Sequence, residues 1–201
     1  MKFSLLILSG GKSSRMEYHD KACLKVDGRK FLELIYQELA SHMEEVIISE
    51  GHDLHRQYPD EWKNIKIVED SYRNCGPLGG IHAGLLAAEQ EYVCIVGCDM
   101  PKIRYGLFSY LSGFMTEDCD IVVPAVDGRR HPLAGIYRKG ILDVVEEQLE
   151  SEKYSLWRMM DRVRVCEVDL TGQTDYEQML VNINTTEEYE KLSGHGYEAM
   201  P

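Results

Sequence analysis

The sequence predicts an α/β domain built on a mostly parallel, twisted sheet with helices on both faces. Short apolar segments alternate along the chain with segments of helical periodicity, which is the pattern of α/β proteins. The first segment, Phe3 to Ser9, is an almost continuous apolar run, as is typical of a strand covered on both faces. The length of 201 residues favours one domain, assigned to residues 1–192, with a loosely held tail at 193–201.

Seven strands are predicted. Each is a short run dominated by apolar residues and bounded by polar residues, glycine or proline. The predicted strands are residues 3–9, 45–49, 65–68, 92–97, 120–124, 133–137 and 163–168. In parallel sheets, ligands bind at the carboxyl ends of the strands, so the residues that follow each strand are the first candidates for a site.

Five helices are predicted between and after these strands. Phe31 and Ile35 have the spacing of one helix face. Pro101 suits the first turn of a helix, and Thr185 with Glu188 has the spacing of a capping box. The predicted helices are residues 31–39, 81–88, 101–115, 141–149 and a last helix that begins near residue 185.

The charge of the chain excludes some partners. Its formal net charge is -12, which argues against nucleic acid or an anionic membrane bound through bulk charge. Between residues 12 and 30, however, six cations outnumber three carboxylates, so a small anionic substrate is compatible with the sequence. The cations are Lys12, Arg15, Lys21, Lys25, Arg29 and Lys30.

The cysteine pattern and the lengths of the apolar runs indicate a cytoplasmic protein. None of the six cysteines has C-x-x-C spacing, and we expect all of them to be reduced thiols that serve as small hydrophobic residues. No run approaches the ~20 apolar residues that a membrane-spanning helix needs.

The segment LSGGKSSRM follows the first strand and is a candidate phosphate-binding turn. It is not a P-loop, because the position five residues before Gly11 is Leu6 instead of the required glycine. Gly10 and Gly11 would let backbone amides approach a phosphate chain closely. Arg15 adds a guanidinium suited to phosphate, and Lys21 adds a second cation. The alternative is an ordinary strand-to-helix turn with a solvated lysine beyond it.

Two aspartates follow other predicted strands. Asp70 precedes the glycine-rich segment RNCGPLGGIHAGL, in which Gly80 and Gly84 would share one helix face and serve either ligand approach or helix packing. Asp99 follows the strand YVCIVG, and its carboxylate suits Mg²⁺, which prefers oxygen ligands shared with substrate phosphates. Alternatively, Asp99 caps the helix expected to begin at Pro101.

Two later segments are weaker candidates for a second substrate. The turn DGRRHPLAG carries Arg129, Arg130 and His131, which form either an anion site or a solvated hairpin tip. The segment NIN carries Asn182 and Asn184, which contact a substrate or satisfy backbone groups at a turn.

Together these segments resemble the molybdenum cofactor guanylyltransferase family. The similarity lies in five motifs in the same order, and it extends over residues 2–192. The motifs are LSGGKSSRM with the later DK, GPLGGIHAGL, CDMP, RRHPLAGIYR and NINTTEEYEKL. Ser9 stands where this family usually has alanine, and Glu17 stands where it commonly has glycine.

The resemblance implies a Rossmann-like nucleotidyltransferase fold and a reaction. GMP would be transferred from GTP to the terminal phosphate of the molybdopterin cofactor, with Mg²⁺ as cofactor and pyrophosphate as the second product. It also implies protein partners among molybdoenzymes or cofactor-insertion proteins. By position, the resemblance assigns the GTP site to Leu8, Ser9, Gly10, Gly11, Lys21, Asp70 and Asp99, with Asp99 as the metal ligand.

The chemistry of this reaction fits the residues that are present. An attacking phosphate is already ionised near neutral pH, with a second pKa of about 6, so no protein base is required. The catalytic task is to stabilise the charge that develops on pyrophosphate, which Arg15, Lys21 and Asp99 with its metal would do. Alternatives are transfer from CTP, transfer to a sugar or polyol phosphate, and a nucleotide-binding protein without activity. The GPL motif argues against the first, and Asp20 in place of the proline common in sugar-specific relatives argues against the second.

Overall fold

The computed structural model of the protein describes residues 1–10, 21–51, 56–62 and 65–193, and for Lys21 and Ser193 it describes the backbone only. Gly11 and Arg15 therefore lie outside the described residues, and so does the segment 194–201 that the sequence predicts to be a loosely held tail. Within the described ranges, no helix is both long and apolar enough to cross a bilayer.

Ten strands and seven α-helices form in the described residues, together with three short 3-10 turns. The strands are β1 Phe3–Leu8, β2 Lys25–Val26, β3 Arg29–Lys30, β4 Glu45–Ser49, β5 Ile65–Val68, β6 Tyr92–Gly97, β7 Ile121–Val126, β8 Arg129–Arg130, β9 Ala134–Arg138 and β10 Val165–Asp169. The helices are α1 Phe31–Leu39, α2 Pro77–Ala87, α3 Tyr105–Ser112, α4 Leu142–Glu150, α5 Leu156–Met160, α6 Thr174–Met179 and α7 Thr186–Ser193. The 3-10 turns are Lys21–Cys23, Ala40–His42 and Lys139–Ile141.

The main sheet has the strand order β10-β7-β9-β6-β1-β4-β5, with β8 paired to β7. Strands β5, β4, β1 and β6 run parallel, as do β7 and β10, whereas β9 runs antiparallel to both of its neighbours. The register pairs Leu8 with Ser49 on one side and with Gly97 on the other. The carboxyl ends of β4, β1 and β6 are therefore level, and the chain segments that follow them share one edge of the sheet.

The two faces of β1 pack into two separate clusters. Leu5 and Ile7 lie in a cluster with Leu32, Ile35 and Leu39 of α1 and with the buried residues of α3. Leu6 and Leu8 lie in a cluster with the buried residues of α5 and with buried apolar residues of α2 and α4. Every residue of β1 is buried. Helices thus cover both faces of the sheet, which confirms the predicted architecture.

The structure corrects the predicted bounds of two helices. The helix expected over 101–115 is α3, which begins at Tyr105 and ends at Ser112. The preceding chain turns instead, with Met100 N–H donating to the Gly97 carbonyl at 3.2 Å and Ile103 N–H donating to the Met100 carbonyl at 3.1 Å. Met100 and Ile103 are buried in the core, and this burial holds the turn in place of helix. Helix α2 begins at Pro77, earlier than predicted, because proline fits a first turn.

Two of the three glycines of α2, Gly80 and Gly84, allow the helix to pack closely against the sheet. A Cβ on Gly80 would lie 2.7 Å from Oγ of Ser49 and 2.8 Å from Cδ2 of Leu8. A Cβ on Gly84 would lie 2.3 Å from Cδ2 of Leu6. Of the two interpretations left open by the sequence, close packing of the helix is therefore the one that the structure supports.

The expectation of six reduced cysteines is wrong for one pair. Cys119 and Cys166 form a disulfide, with Cα atoms 5.9 Å apart, where the chain enters β7 beside β10. These two residues meet because β7 and β10 are parallel neighbours, a pairing that spacing along the chain does not reveal. Among the described residues, Cys23, Cys75, Cys94 and Cys98 take part in no disulfide. Burial raises the pKa of Cys94, as suits a residue used as a small hydrophobe.

Near the C-terminus, the predicted capping box is confirmed. Glu188 N–H donates to Oγ1 of Thr185 at 3.2 Å, and Thr185 N–H donates to Oε2 of Glu188 at 3.0 Å. Tyr189 of this helix packs with Leu24 and Phe31, the residues on either side of the small sheet of β2 and β3, and its hydroxyl donates to the carbonyl of Lys25 in β2. The last helix therefore packs against the segment that follows the glycine turn.

We expect Gly84→Ala to destabilise the protein by about 1–2 kcal/mol. The added methyl group overlaps Leu6, which is fully buried, and overpacking of this kind costs about 1–3 kcal/mol before the gain in helix propensity is subtracted. The matched control is Gly106→Ala in α3, where an added Cβ has no neighbour within 4 Å. Urea unfolding should show the control unchanged or stabilised; equal destabilisation of both variants would contradict the packing role.

Candidate active site

The candidate site lies along the edge formed by the carboxyl ends of β5, β4, β1 and β6. Ser9 and Gly10 follow β1, Glu50 follows β4, Asp70 follows β5 and Asp99 follows β6. The predicted nucleotide-site residues Leu8, Ser9, Gly10, Asp70 and Asp99 are thus brought to one edge. The side chain of Lys21 is not described, and Gly11 and Arg15 lie outside the described residues.

The turn after β1 lies directly against the turn after β4. Ser9 donates to the Ser49 carbonyl from both its backbone N–H and its hydroxyl, each at 2.9 Å. A Cβ on Gly10 would lie 2.6 Å from the backbone nitrogen of Gly51. Only glycine permits this approach, so Gly10 has a backbone role that is established independently of any ligand.

The carboxylate of Asp70 is held between β4 and the first turn of α2. Ser49 Oγ donates to Asp70 Oδ1 at 2.8 Å. A Cβ on Gly79 would lie 3.2 Å from Asp70 Oδ2, so the small residue lets the helix lie close to the carboxylate. Helix α2 starts after Gly76, whose φ of 60° lies in the left-handed region that favours glycine. The GPLGG segment therefore shapes the wall of the site next to Asp70.

Asp99 does not cap the helix that follows it. The N-cap of α3 is Arg104, and Asp99 lies in the turn before Pro101. A Cβ on Gly97 would lie 2.7 Å from Asp99 Oδ1, so glycine leaves the space in which this carboxylate sits. The helix-cap interpretation is therefore wrong, and a carboxylate at the sheet edge remains to be explained by another role.

The NIN segment lies beside Asp99. Ile183 N–H donates to the Asp99 carbonyl at 2.8 Å. Within the described residues, the buried Oδ1 of Asn182 has no hydrogen-bond partner. Asn184 lies at the start of α7, where Glu188 Oε2 accepts its backbone N–H at 2.7 Å. Both asparagines named from the sequence flank Ile183, the residue that contacts Asp99.

The arginine-rich turn reaches the same edge from the other half of the sheet. Gly97 N–H donates to the Leu133 carbonyl at 3.0 Å, which places the connection from β7 to β9 next to the end of β6. Arg130 forms an ion pair with Glu167, and this pairing raises the pKa of Arg130 further. Arg129 is exposed. Burial, with a smaller contribution from Arg129, lowers the pKa of His131 below its ordinary value of 6.5.

One group at this edge, formed by Glu50, Arg56 and Tyr58, is not predicted from the sequence. Arg56 donates from Nη1 to Ser9 Oγ at 2.8 Å and from Nη2 to the Ser9 carbonyl at 2.9 Å. Glu50 Oε1 accepts from Arg56 N–H at 3.2 Å and also from the Tyr58 hydroxyl. The available signal was Glu50, a carboxylate directly after a buried strand, whereas nothing around Arg56 marks it in the sequence.

A family model for the MobA-like NTP transferase domain matches residues 5–168. This chain belongs to the MobA-like NTP transferases. Relatives that match nearly the whole chain carry the name "Probable molybdenum cofactor guanylyltransferase". One from Clostridium perfringens strain 13 is 36% identical, and the match covers 96% of each chain. One from Peptoclostridium acidaminophilum is 33% identical, over 98% of this chain and 91% of the relative. One from Bacillus cereus strain G9842 is 30% identical, over 92% of each.

Solved structures show that the fold is shared with other nucleotidyltransferases. Molybdopterin-guanine dinucleotide biosynthesis protein A from Archaeoglobus fulgidus superposes with a TM-score of 0.76 at 19% identity, over 95% of this chain and 97% of that one. 2-C-methyl-D-erythritol 4-phosphate cytidylyltransferase from Thermus thermophilus superposes with a TM-score of 0.71 at 15% identity, over 96% and 98%. The nucleotidyltransferase fold and the resemblance to the molybdenum cofactor guanylyltransferase family, both expected from the sequence, are confirmed.

We expect His131 to be neutral at pH 7 in the free protein. Burial lowers its pKa, and the positive charge of Arg129 lowers it further, so the ring titrates below pH 6.5. Ring resonances followed by NMR across a pH titration, and assigned with His131→Gln, check this. Arg129→Gln should raise the midpoint slightly, because it removes the smaller of the two causes. A midpoint at or above 6.5 in the unsubstituted protein would contradict the prediction.

Proposed function

We propose that this protein transfers GMP from GTP to the terminal phosphate of the molybdopterin cofactor and releases pyrophosphate. The observation that carries the proposal is the agreement of relatives at 30–36% identity, aligned over nearly the whole chain, on the guanylyltransferase name. The site supports it, because its polar groups line the edge at which parallel sheets bind ligands.

The reaction needs positioning and charge stabilisation more than it needs a base. An oxygen of the acceptor phosphate attacks the α-phosphorus of GTP, and the bond from that phosphorus to the pyrophosphate oxygen breaks as the new bond forms. Negative charge moves onto the leaving pyrophosphate. Backbone amides of the turn at Gly10 and Gly11 would face the phosphates, and Arg15 and Lys21 would neutralise the developing charge. The roles of Gly11, Arg15 and Lys21 are proposed from the sequence alone.

Asp99 is proposed as the protein ligand of Mg²⁺. The fit rests on chemistry and space: a carboxylate is the ligand type that Mg²⁺ prefers, and Gly97 leaves room for it. Among the described residues, no cluster of three or more histidine, cysteine or acidic side chains could hold a metal. This fits an ion that shares its coordination with substrate phosphates and water. Bound Mg²⁺ would neutralise phosphate charge during transfer.

We propose that Asp70 contacts the nucleotide and that the acceptor phosphate binds at the opposite end of this edge of the sheet. The Asp70 carboxylate accepts a hydrogen bond from Ser49 and lies close to Gly79 at the start of α2. Its oxygens are therefore oriented before a ligand binds. For the pterin phosphate we propose Arg129, Arg130 and His131 on the turn before β9, with Asn182 and Asn184 close to α7. Action in the cytoplasm, and delivery to molybdoenzymes or cofactor-insertion proteins, remain predictions.

The first test concerns the nucleotide. We expect GTP to bind at least about tenfold more tightly than CTP or ATP, because a site that hydrogen-bonds one base leaves polar groups unpaired with another. Calorimetric titration of each nucleotide with Mg²⁺ measures this. Incubation of GTP with molybdopterin cofactor, with the product identified by mass, tests the reaction. Tighter binding of CTP, together with a cytosine-containing product, would replace the proposal with the cytidylyltransferase alternative.

A second test concerns Asp99. We expect Asp99→Asn to reduce turnover by roughly 10²-fold or more, the scale of losing one preorganised stabiliser of transition-state charge, while the thermal midpoint stays within a few degrees. The assay should follow pyrophosphate release across a Mg²⁺ titration. Asp143→Asn, an exposed aspartate on α4, is the matched control and should behave as the unsubstituted protein. Normal turnover of Asp99→Asn at ordinary Mg²⁺ would remove Asp99 from the metal site.

A further inference from the structure

Arg56 makes two contacts with one residue of the turn after β1. Its Nη1 donates to the hydroxyl of Ser9 at 2.8 Å, and its Nη2 donates to the carbonyl of the same residue at 2.9 Å. A guanidinium has parallel donors in a fixed plane, so this pair of contacts fixes both the side chain and the backbone of Ser9. The next residue is Gly10, the first glycine of the turn.

Arg56 is itself held by a buried carboxylate. Glu50 Oε1 lies 3.9 Å from Arg56 Nη1 and accepts the Arg56 backbone N–H at 3.2 Å. The side chains of Arg56 and Glu50 are only 11% and 3% exposed. The Tyr58 hydroxyl donates to the same carboxylate oxygen, and burial together with the Glu50 charge raises the pKa of Tyr58. A buried charge pair with these extra hydrogen bonds has a defined geometry, and loss of one partner leaves the other charge uncompensated.

From these contacts we infer that Arg56 is a positioning residue for the nucleotide-binding turn, a role that rests on the proposed function. It links the segment after β4 to the turn after β1 at the carbonyl that precedes Gly10. Backbone amides that stabilise phosphate charge must be held in place before the reaction, because small displacements from the productive geometry reduce rates strongly. Arg56 holds the turn in position through its two contacts with Ser9.

The two contacts use different parts of Ser9, since one goes to its hydroxyl and the other to its carbonyl. An alanine at position 9 would leave only the carbonyl for Arg56 to bind. The inference therefore predicts a graded series: loss of the hydroxyl removes one contact, and loss of the guanidinium removes both.

The test compares Arg56→Lys and Ser9→Ala with Arg164→Lys. Lysine keeps the positive charge of Arg56 and loses its two-pronged geometry. Arg164 is the matched control, because it also binds one partner through two nitrogens, donating from Nε and Nη2 to Asp120 at 3.0 Å and 2.7 Å. That pair lies where β7 and β10 begin, at the edge opposite the candidate site.

We expect Arg56→Lys to weaken GTP binding about tenfold and Ser9→Ala to weaken it about threefold, with the Michaelis constant for molybdopterin unchanged in both. Arg164→Lys should leave GTP binding unchanged. Hydrogen exchange followed by mass spectrometry should show faster exchange at positions 9 and 10 in Arg56→Lys, a smaller increase in Ser9→Ala and no change in Arg164→Lys. Circular dichroism establishes that each variant is folded; if Arg56→Lys is not, Ser9→Ala provides the comparison.

Two outcomes would overturn the inference. One is a folded Arg56→Lys that binds GTP as the unsubstituted protein does, even if its stability falls, since Arg56 would then act only in stability. The other is weaker binding of GTP and of molybdopterin to the same degree, which indicates general damage. If the unsubstituted protein binds a different nucleotide, the proposed function fails separately, and the Arg56 series is then measured with the nucleotide that does bind.

Discussion

The burial of β1 on all sides is the constraint on which the rest of the molecule depends. Its neighbours β4 and β6 occupy both of its edges, and helices cover both of its faces. A strand enclosed in this way can meet solvent only at its ends. Because its parallel neighbours end level with it, the polar groups that follow all three strands meet at one place without any long loop.

Close packing and chemistry use the same glycines at that place. Gly10 lets the turn after β1 approach the turn after β4, Gly79 lets α2 approach Asp70, and Gly97 leaves space for Asp99. None of these is conformationally special by its φ, since none has a positive value. What they provide is the absence of a Cβ, which at these positions would lie between 2.6 and 3.2 Å from a neighbouring backbone or carboxylate atom. The shape of the site therefore depends on the absence of side chains at these glycines as much as on its functional groups.

Sequence patterns are sufficient to predict the elements whose structure depends on uniform burial or on residues close by in the chain. The buried strands and the capping box of α7 follow from apolar runs and from fixed spacing, and both were predicted within a residue or two. The start of α3 was not, because buried Met100 and Ile103 hold the preceding chain in turns and override the preference of Pro101 for a first helical turn.

Long-range pairing was beyond what the pattern could reveal. Cys119 and Cys166 meet only because β7 and β10 are neighbours, and Arg56 reaches Ser9 only because β4 lies beside β1. In the candidate site, the aspartates and glycines could be named in advance because each follows a strand directly. Arg56 could not, since its importance arises from a contact with a residue 47 positions away.

Ser49 has a consequence for how this edge can change over evolution. Its carbonyl accepts two hydrogen bonds from Ser9, its hydroxyl donates to Asp70, and that hydroxyl occupies the space that a Cβ on Gly80 would need. A larger residue at position 80 would thus displace Ser49 and, through it, the segments after both β1 and β5. Substitutions at these four positions are therefore not independent, and an accepted change at one restricts which changes the others can tolerate.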